Sequence, residues 1–432
     1  MTALLRKAII LGILTGLMGL GANFLPYGLD LEENVGLEVL FHLRGVRQPP
    51  PEVVVIGIDK VSADNLGLPN DSRKWPRSFY ARITEILKAQ GAAVVAFDVV
   101  FEDPRSPEED NDFAAAVARA RNVVLCERIR TEKIPLADRG GSRQGDLSIV
   151  KLVPPIPPLE QSAVALAPFP LPKVPVKVSQ YWTFKTGAGD TPTLPVVAFQ
   201  LYAMDIYDEF ISSLAKVSSY PLDKFLLDKT QAINTRSVRR LISGIRDVFE
   251  KEPVSSARLL EELIRSKIPA SDAGRLKLIT ALVKMYGGSN SQYLNFYGPP
   301  RTITTIPYYQ AMRLQEGAAG SGLPDFRGKA VFVGLSELVQ PEQKDGFNTV
   351  FTQSDGLDIA GVEIAATAFA NLLEDMPVRP LGIPAHVVFI LVWGLVIGIL
   401  SRLYSNAVAA LSVVGLCVLY LAAAEYQFKS AG

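Results

Sequence analysis

The chain has 432 residues, with 44 basic and 44 acidic side chains and a formal net charge of zero. A neutral surface leaves no electrostatic footprint for nucleic acid. Hydrophobic residues make up 48% of the chain and the mean hydropathy is positive, which points to membrane segments. The two cysteines and two histidines stand far apart, so neither a disulfide nor a zinc site is expected, and 432 residues leave room for more than one domain.

Arg6-Lys7 precedes an apolar run from Ala8 to Leu25, near the lower length for crossing a bilayer. Basic residues on its N-terminal side place that end in the cytoplasm. Gly19, Gly21 and Ala22 would make a poor cleavage site, so residues 1–29 read as an uncleaved anchor rather than a removed signal peptide. Either reading exports residues 30–382. Leu37 to Leu43 reads as a short amphipathic helix outside the membrane.

Pro51 to Pro104 is the organising stretch. Val53-Val54-Val55-Ile56-Gly57-Ile58 is a β-branched run that fits a strand buried on both faces. Trp75-Pro76 opens a helix with Phe79, Ile83, Ile86 and Leu87 on one face, and Gly91 closes it. Ala93 to Phe97 is a second buried strand. Asp110 to Ala120 is a helix with Phe113, Ala116, Val117 and Ala120 inward, and Asn122 to Leu125 is a third strand. This alternation predicts an α/β domain with a largely parallel sheet between helices.

Thr131 to Gln144 is polar and glycine-bearing, and reads as a loop. Pro154 to Pro175 contains eight prolines and reads as a rigid extended segment on the surface. Tyr181 to Phe184 and Val196 to Tyr202 read as strand and helix. Residues 205–290 form a helical insertion, with three apolar helix faces from Ser237 to Tyr286 that largely satisfy one another and leave one stripe to dock on the sheet domain. Its charged faces carry both signs, as a solvated surface does. The α/β rhythm returns with a strand at Tyr293 to Tyr297, a helix at Pro307 to Leu314, a buried strand at Lys329 to Gly334 and a helix at Val362 to Leu373. Two apolar runs, Ile383 to Leu400 and Ala407 to Ala424, close the chain as a helical hairpin. Ser401 to Asn406 joins them, with Arg402 on the cytoplasmic side.

Asp59 and Asp98, with Asp103, follow strands of the opening unit. Ligands of open α/β sheets bind outside the carboxyl ends of strands, so these carboxylates could hold a cation or act as acid and base. The simpler role is capping of turns and helix N-termini. Arg77 and Arg301 could clamp an anion; pairing with Asp98 or Asp59 is the simpler role. Trp75, Tyr297 and Tyr308 could line an apolar pocket, with core packing the default. Asp59, Arg77, Asp98 and Arg301 are thus the candidate ligand-binding residues. No catalytic or metal-ligating residue is assigned. No nucleotide-binding glycine loop, kinase signature or cyclase aspartate pair is present, so no cofactor is expected.

Several stretches together resemble the type-2 CHASE domain (CHASE2), an extracellular sensor attached to bacterial cyclases, histidine kinases and serine/threonine kinases. They are Leu43-Arg44-Gly45, VVVIGID, WPRSFYARITEILKAQGAAVVAFDVVF, NFYGPPRTITTIPY, FRGKAVFVGLS and AGVEIAATAFANLLEDMPVRP, and the likeness covers about residues 35 to 382. The chain departs from the pattern in its long helical insertion, and in Ala365, where members often carry a histidine after GVEI. The resemblance implies one anchor before the sensor, and three spans and a cytoplasmic effector after it. Residues 383–432 hold two spans, so a further span and an effector such as an adenylate cyclase or protein kinase are expected to follow. The expected location is the bacterial inner membrane with the sensor outside. The expected partners are an extracytoplasmic ligand or protein, the lipid bilayer and a second copy in a homodimer. The competing readings are a docking subunit of a membrane complex and a membrane-anchored hydrolase using Asp59 and Asp98.

Overall fold

Val53–Ile58 is buried at every position, as a β-branched run between two helical layers must be. In the computed structural model this strand, β1, belongs to a six-stranded parallel sheet. The others are β2 (Val94–Val100), β3 (Val123–Cys126), β4 (Ala165–Ala167), β5 (Thr305–Pro307) and β6 (Ala330–Leu335), in the order β5-β1-β6-β2-β3-β4. The structure describes residues 3–23, 35–137, 143–171, 177–222, 226–265, 273–316, 324–337, 345–352, 358–379 and 382–431. They divide into two units, Arg47–Pro377 and Met1–Val46 with Val378–Gly432.

Alternate residues of each strand face opposite layers. On one face Val54, Ile56 and Phe97 pack with Trp75, Tyr80, Ile83, Leu87, Phe101 and Phe113. These come largely from the helices Arg77–Ala89 and Pro107–Ala120. Tyr80, rather than the expected Phe79, is the fully buried aromatic of the first helix. The second helix is three residues longer than its apolar pattern shows. Ser106 caps it by accepting from the Glu109 N–H, and Pro107 stands in its first turn. Gly91 has φ of 79°, as the expected helix stop requires.

On the other face Val53, Val55, Ala96 and Phe332 pack with the helices Leu194–Tyr202 and Gly361–Glu374. The latter is buried from Gly361 to Leu373, not only along the expected stripe. The insertion continues this layer through the helices Tyr207–Val217, Val238–Lys251, Val254–Arg265 and Ala273–Gly287. The expected docking on the sheet domain is present and is wider than one stripe, since two helices of the insertion share in it. Leu241, Ile245, Phe249 and Tyr286 share one apolar cluster with Phe199, Phe369 and the sheet. The Tyr286 hydroxyl donates to Gln200 Oε1 at 2.7 Å. The helices need the sheet domain because their apolar arcs are wider than they can cover among themselves.

Other sequence expectations also change. The supposed loop at Thr131 to Gln144 lies in an antiparallel hairpin, Arg128–Ala137 with Arg143–Val153; residues 138–142 lie outside the described residues. The proline-rich stretch is not wholly an extended surface segment. It contains a helical turn, Pro157–Glu160, and the sheet-edge strand β4; residues 172–176 lie outside the described residues. The strand expected at Tyr293 to Tyr297 covers Ser291–Tyr293, paired with Gln180–Trp182. The edge strand β5 was not foreseen, because three residues are too few to show a period.

In the other unit, two helices are long and apolar enough to cross a membrane among the described residues, Ile383–Leu403 and Asn406–Lys429. Arg402 stands in the last turn of the first of these, not in the joint. The N-terminal helix Ala3–Asn23 packs along Ile383–Leu403 through a glycine seam. A Cβ on Gly394 would lie 2.4 Å from the Gly16 backbone, and one on Gly398 would lie 2.3 Å from Gly12. Only glycine permits such an approach. The helix expected at Leu37 to Leu43 is present as Leu37–Arg44; its Phe41 meets Phe428 edge to face at 5.0 Å.

Candidate functional site

The carboxyl ends of β1, β2, β3 and β6 open onto a cleft of about 700 Å³, in the volume range of small-molecule sites. Asp98 stands on its floor. It does not follow a strand, as expected, but lies within β2, opposite Gly334 of β6. Phe97 pairs with Leu125 and the next pair is Val100 with Cys126, so β2 bulges at Asp98 and Val99. Such bulges re-aim side chains at sheet rims. A Cβ on Gly334 would clash with Val362 at 2.8 Å and crowd the Asp98 Cβ at 3.2 Å, so glycine here lets helix and strand close around the bulge.

Burial, and then the charge of Asp345, push Asp98 from its ordinary 3.8 up to about 8, against a hydrogen bond from Cys126. Burial also raises the Cys126 thiol, and the Asp98 charge adds to it. Phe169, Phe347, Val99, Ile129 and Leu335 supply apolar wall. Both arginines of the cleft are engaged. Arg73 grips Asp71 through two bonds of 3.0 Å, and Arg128 meets Glu102 at 2.7 Å. Glu127 pairs with Arg239 of the insertion, which also donates to the Leu166 carbonyl. Burial raises Glu127, and Arg239 opposes that.

Asp59 and Arg301 come together beside this cleft, as the simpler reading expected. Asp59 caps the helix Lys60–Leu66 by accepting from the Ser62 N–H at 2.7 Å. Arg301 Nη2 donates to Asp59 Oδ2 at 3.2 Å and to the Ser336 carbonyl at 2.9 Å. The Arg301 N–H and the Ser336 hydroxyl both donate to Glu363, at 2.6 and 2.7 Å. Burial raises the Glu363 carboxyl, against these donors. The network ties the ends of β1 and β6 to the first turn of Gly361–Glu374. Both Asp59 oxygens are thus engaged, one by the Ser62 N–H and one by Arg301.

Arg77 does not meet Asp59 or Asp98, which corrects the expected pairing. It is buried, donating to Asp110 at 3.2 Å and to the Asp103 carbonyl at 2.7 Å, and its guanidinium lies 4.8 Å from the Phe101 ring centre. Arg77 opens its helix and Asp110 stands in the first turn of the next, so the two helix starts meet through this pair. Trp75, Tyr297 and Tyr308 are core residues; Trp75 donates to the Pro69 carbonyl at 2.7 Å and Tyr308 to that of Phe79 at 2.8 Å. Ala365 packs in the apolar cluster.

The sequence reading missed Cys126 as a cleft residue, as well as Asp345, Phe169, Phe347, Ser336 and Glu363. Glu363 and Ser336 could have been found as the polar positions of GVEI and FVGLS, next to buried runs. Asp345 and Phe169 sit in irregular segments, and Phe347 in a strand of two residues, too short for a periodic signal. No group of three or more potential metal-ligating side chains occurs among the described residues.

The family model of the CHASE2 domain matches residues 10–399. No curated protein matches the chain, and no solved structure matches it.

Proposed function

The chain belongs to the CHASE2 family, whose domains are sensors, and on that premise we propose that it is a membrane-anchored extracytoplasmic sensor controlling a cytoplasmic effector such as an adenylate cyclase or protein kinase. The observation that carries this reading is the extent of the family match, 10–399, which takes in the α/β domain and most of the helix Ile383–Leu403. A sensor needs a state-dependent preference for its signal. The cleft at the strand ends supplies a place for one, with Asp98 on its floor and the Asp59–Arg301 pair beside it. In this reading the bacterial inner membrane holds the apolar helices, and the receptor works as a homodimer.

A receptor chimera tests the reading. Residues 1–432 joined through one further apolar span to an adenylate cyclase domain should make cyclic AMP output depend on the α/β domain. Cleft substitutions should then change output at unchanged protein level. Output indifferent both to those substitutions and to removal of residues 47–377 would sink the reading.

A further inference from the structure

We propose that the cleft at the carboxyl ends of β1, β2, β3 and β6 binds a small organic ammonium ion with an apolar or aromatic arm, its charge held between Asp98 and Asp345. This inference rests on the sensor reading and gives it a ligand class.

The cavity sets the size. About 700 Å³ suits a small molecule rather than a bare ion. The wall sets the arm: Phe169, Phe347 and Leu335 line it, and a hydrated metal gains nothing from such a surface. The described residues also hold no group of three or more ligating side chains for a metal. The charge pattern sets the head group. An anion would need a free cation, and Arg73 and Arg128 are each engaged by a carboxylate of the same rim. Glu127 has Arg239, and Glu337 accepts from the Lys60 N–H at 2.9 Å. Asp103 acts on Arg73 from the same side. At the floor, Asp98 and Asp345 act on each other as like charges.

Two carboxyls in that position favour either a proton or a cation between them. The β2 bulge places Asp98 where such a cation would sit, and Cys126 beside it offers only a weak donor. The face of Phe169 or Phe347 could add a cation–π attraction to a desolvated ammonium. Proton and ligand then compete. Below the point where Asp98 takes up its proton, affinity for an ammonium ion should fall roughly tenfold per pH unit. The ligand itself stays charged, since aliphatic amines titrate near about pH 10.

The test uses the full chain in lipid nanodiscs and isothermal titration with 2-phenylethylammonium. Its neutral and anionic counterparts, 2-phenylethanol and 3-phenylpropionate, are titrated in parallel, as is Ca²⁺ alone. The amine should bind saturably at about pH 8.5 and roughly tenfold or more weakly at about pH 6.5. Asp98→Asn should weaken it about tenfold at the higher pH, and Asp345→Asn should do likewise should the first variant fold poorly. The alcohol or the acid binding as well as the amine would overturn the proposal. So would amine affinity indifferent to both substitutions, binding of Ca²⁺ but not amine, or no amine binding at either pH. Binding is read on the receptor alone, so its failure leaves the chimera test of the sensor reading standing.

Discussion

Arg301 reaches Asp59 across 242 positions of sequence, its Nη2 lying 3.2 Å from the carboxylate. The pair is nearly dry on the acid side, with 2% of the Asp59 side chain exposed and 18% of Arg301. Arg301 also holds a left-handed φ of 63°, a conformation that costs a non-glycine residue energy. The network with Ser336 and Glu363 evidently outweighs that cost. Removing the guanidinium leaves the buried Asp59 carboxylate without its countercharge and the Ser336 carbonyl without its donor. Arg301→Met should therefore destabilise the protein by about 3 kcal/mol. Asp59→Asn keeps a capping side chain and should cost about 1 kcal/mol. Melting of the full chain in detergent measures both. Equal and small losses would mean that the pair is solvent-screened and structurally idle.

Asp98 makes stability depend on pH with a definite sign. Its pKa rises from 3.8 to about 8 on folding, so the native state binds the proton more tightly than the unfolded chain. That contribution is fully present below about pH 4 and is lost as pH rises towards about pH 8. The slope attributable to one group is at most about 1.4 kcal/mol per pH unit. Asp98→Asn carries no titrating proton there. Its stability relative to wild type should climb between pH 5 and 8 and level off above that, all values being about those of the linkage window. A difference curve that is flat, or that falls with pH, would show that Asp98 is ionised and paired in the native state.

The sheet was legible because its central strands are short apolar runs rich in β-branched residues, as Val53–Ile58 and Val94–Val100 show. The helices that cover it were legible from their apolar spacing. The edges were not: β4 lies inside a proline-rich stretch and β5 has three residues. The site was half legible. Arg301 was expected to meet Asp98 or Asp59, and it meets Asp59. The bulge at Asp98 and Val99 depends on pairing with β3, and the meeting of Arg77 with Asp110 on two helix starts coming together, neither of which a local pattern records. Asp345 joins Asp98 only through tertiary packing.

The glycine seam predicts that the N-terminal helix stays with the chain. Gly12 and Gly16 meet Gly398 and Gly394 at backbone contact, and a removed signal peptide would have no use for such a fit. Gly394→Leu should separate the helices, whereas Gly415→Leu should not, since space around Gly415 is open. Disulfide trapping between cysteines placed at Leu11 and Leu395 reports the separation. Fusions test orientation: a reporter at Arg402 should read cytoplasmic, and one in the hairpin near Lys133 exported. Efficient trapping in Gly394→Leu would remove the seam from the argument, and the reversed reporter pattern would overturn the orientation.

The contacts of the insertion argue against the outcome that its sequence invites. Closing a long surface excursion costs little extra entropy, so a self-contained module could be replaced by a short linker. This one is not self-contained. The ring of Tyr286 lies between Phe210 and Phe249, with centroids 6.0 Å from each, and its hydroxyl is the partner of Gln200 in the covering helix. Arg239 neutralises Glu127 at the rim of the cleft. Each large apolar side chain that loses its cover forfeits about 1.5–3 kcal/mol, and Phe199, Phe184 and Phe210 would all be affected. Their sum approaches the whole stability of an ordinary domain, about 5–15 kcal/mol. Replacing Ser237 to Tyr286 by a Gly/Ser linker should therefore leave the remaining chain without a cooperative melt and open to protease. Tyr286→Phe, which removes only one hydroxyl from Gln200, should melt cooperatively at a lower temperature, losing about 1 kcal/mol. A deleted chain that melts sharply and resists digestion would show that the sheet and its two covering helices form a complete core without the insertion.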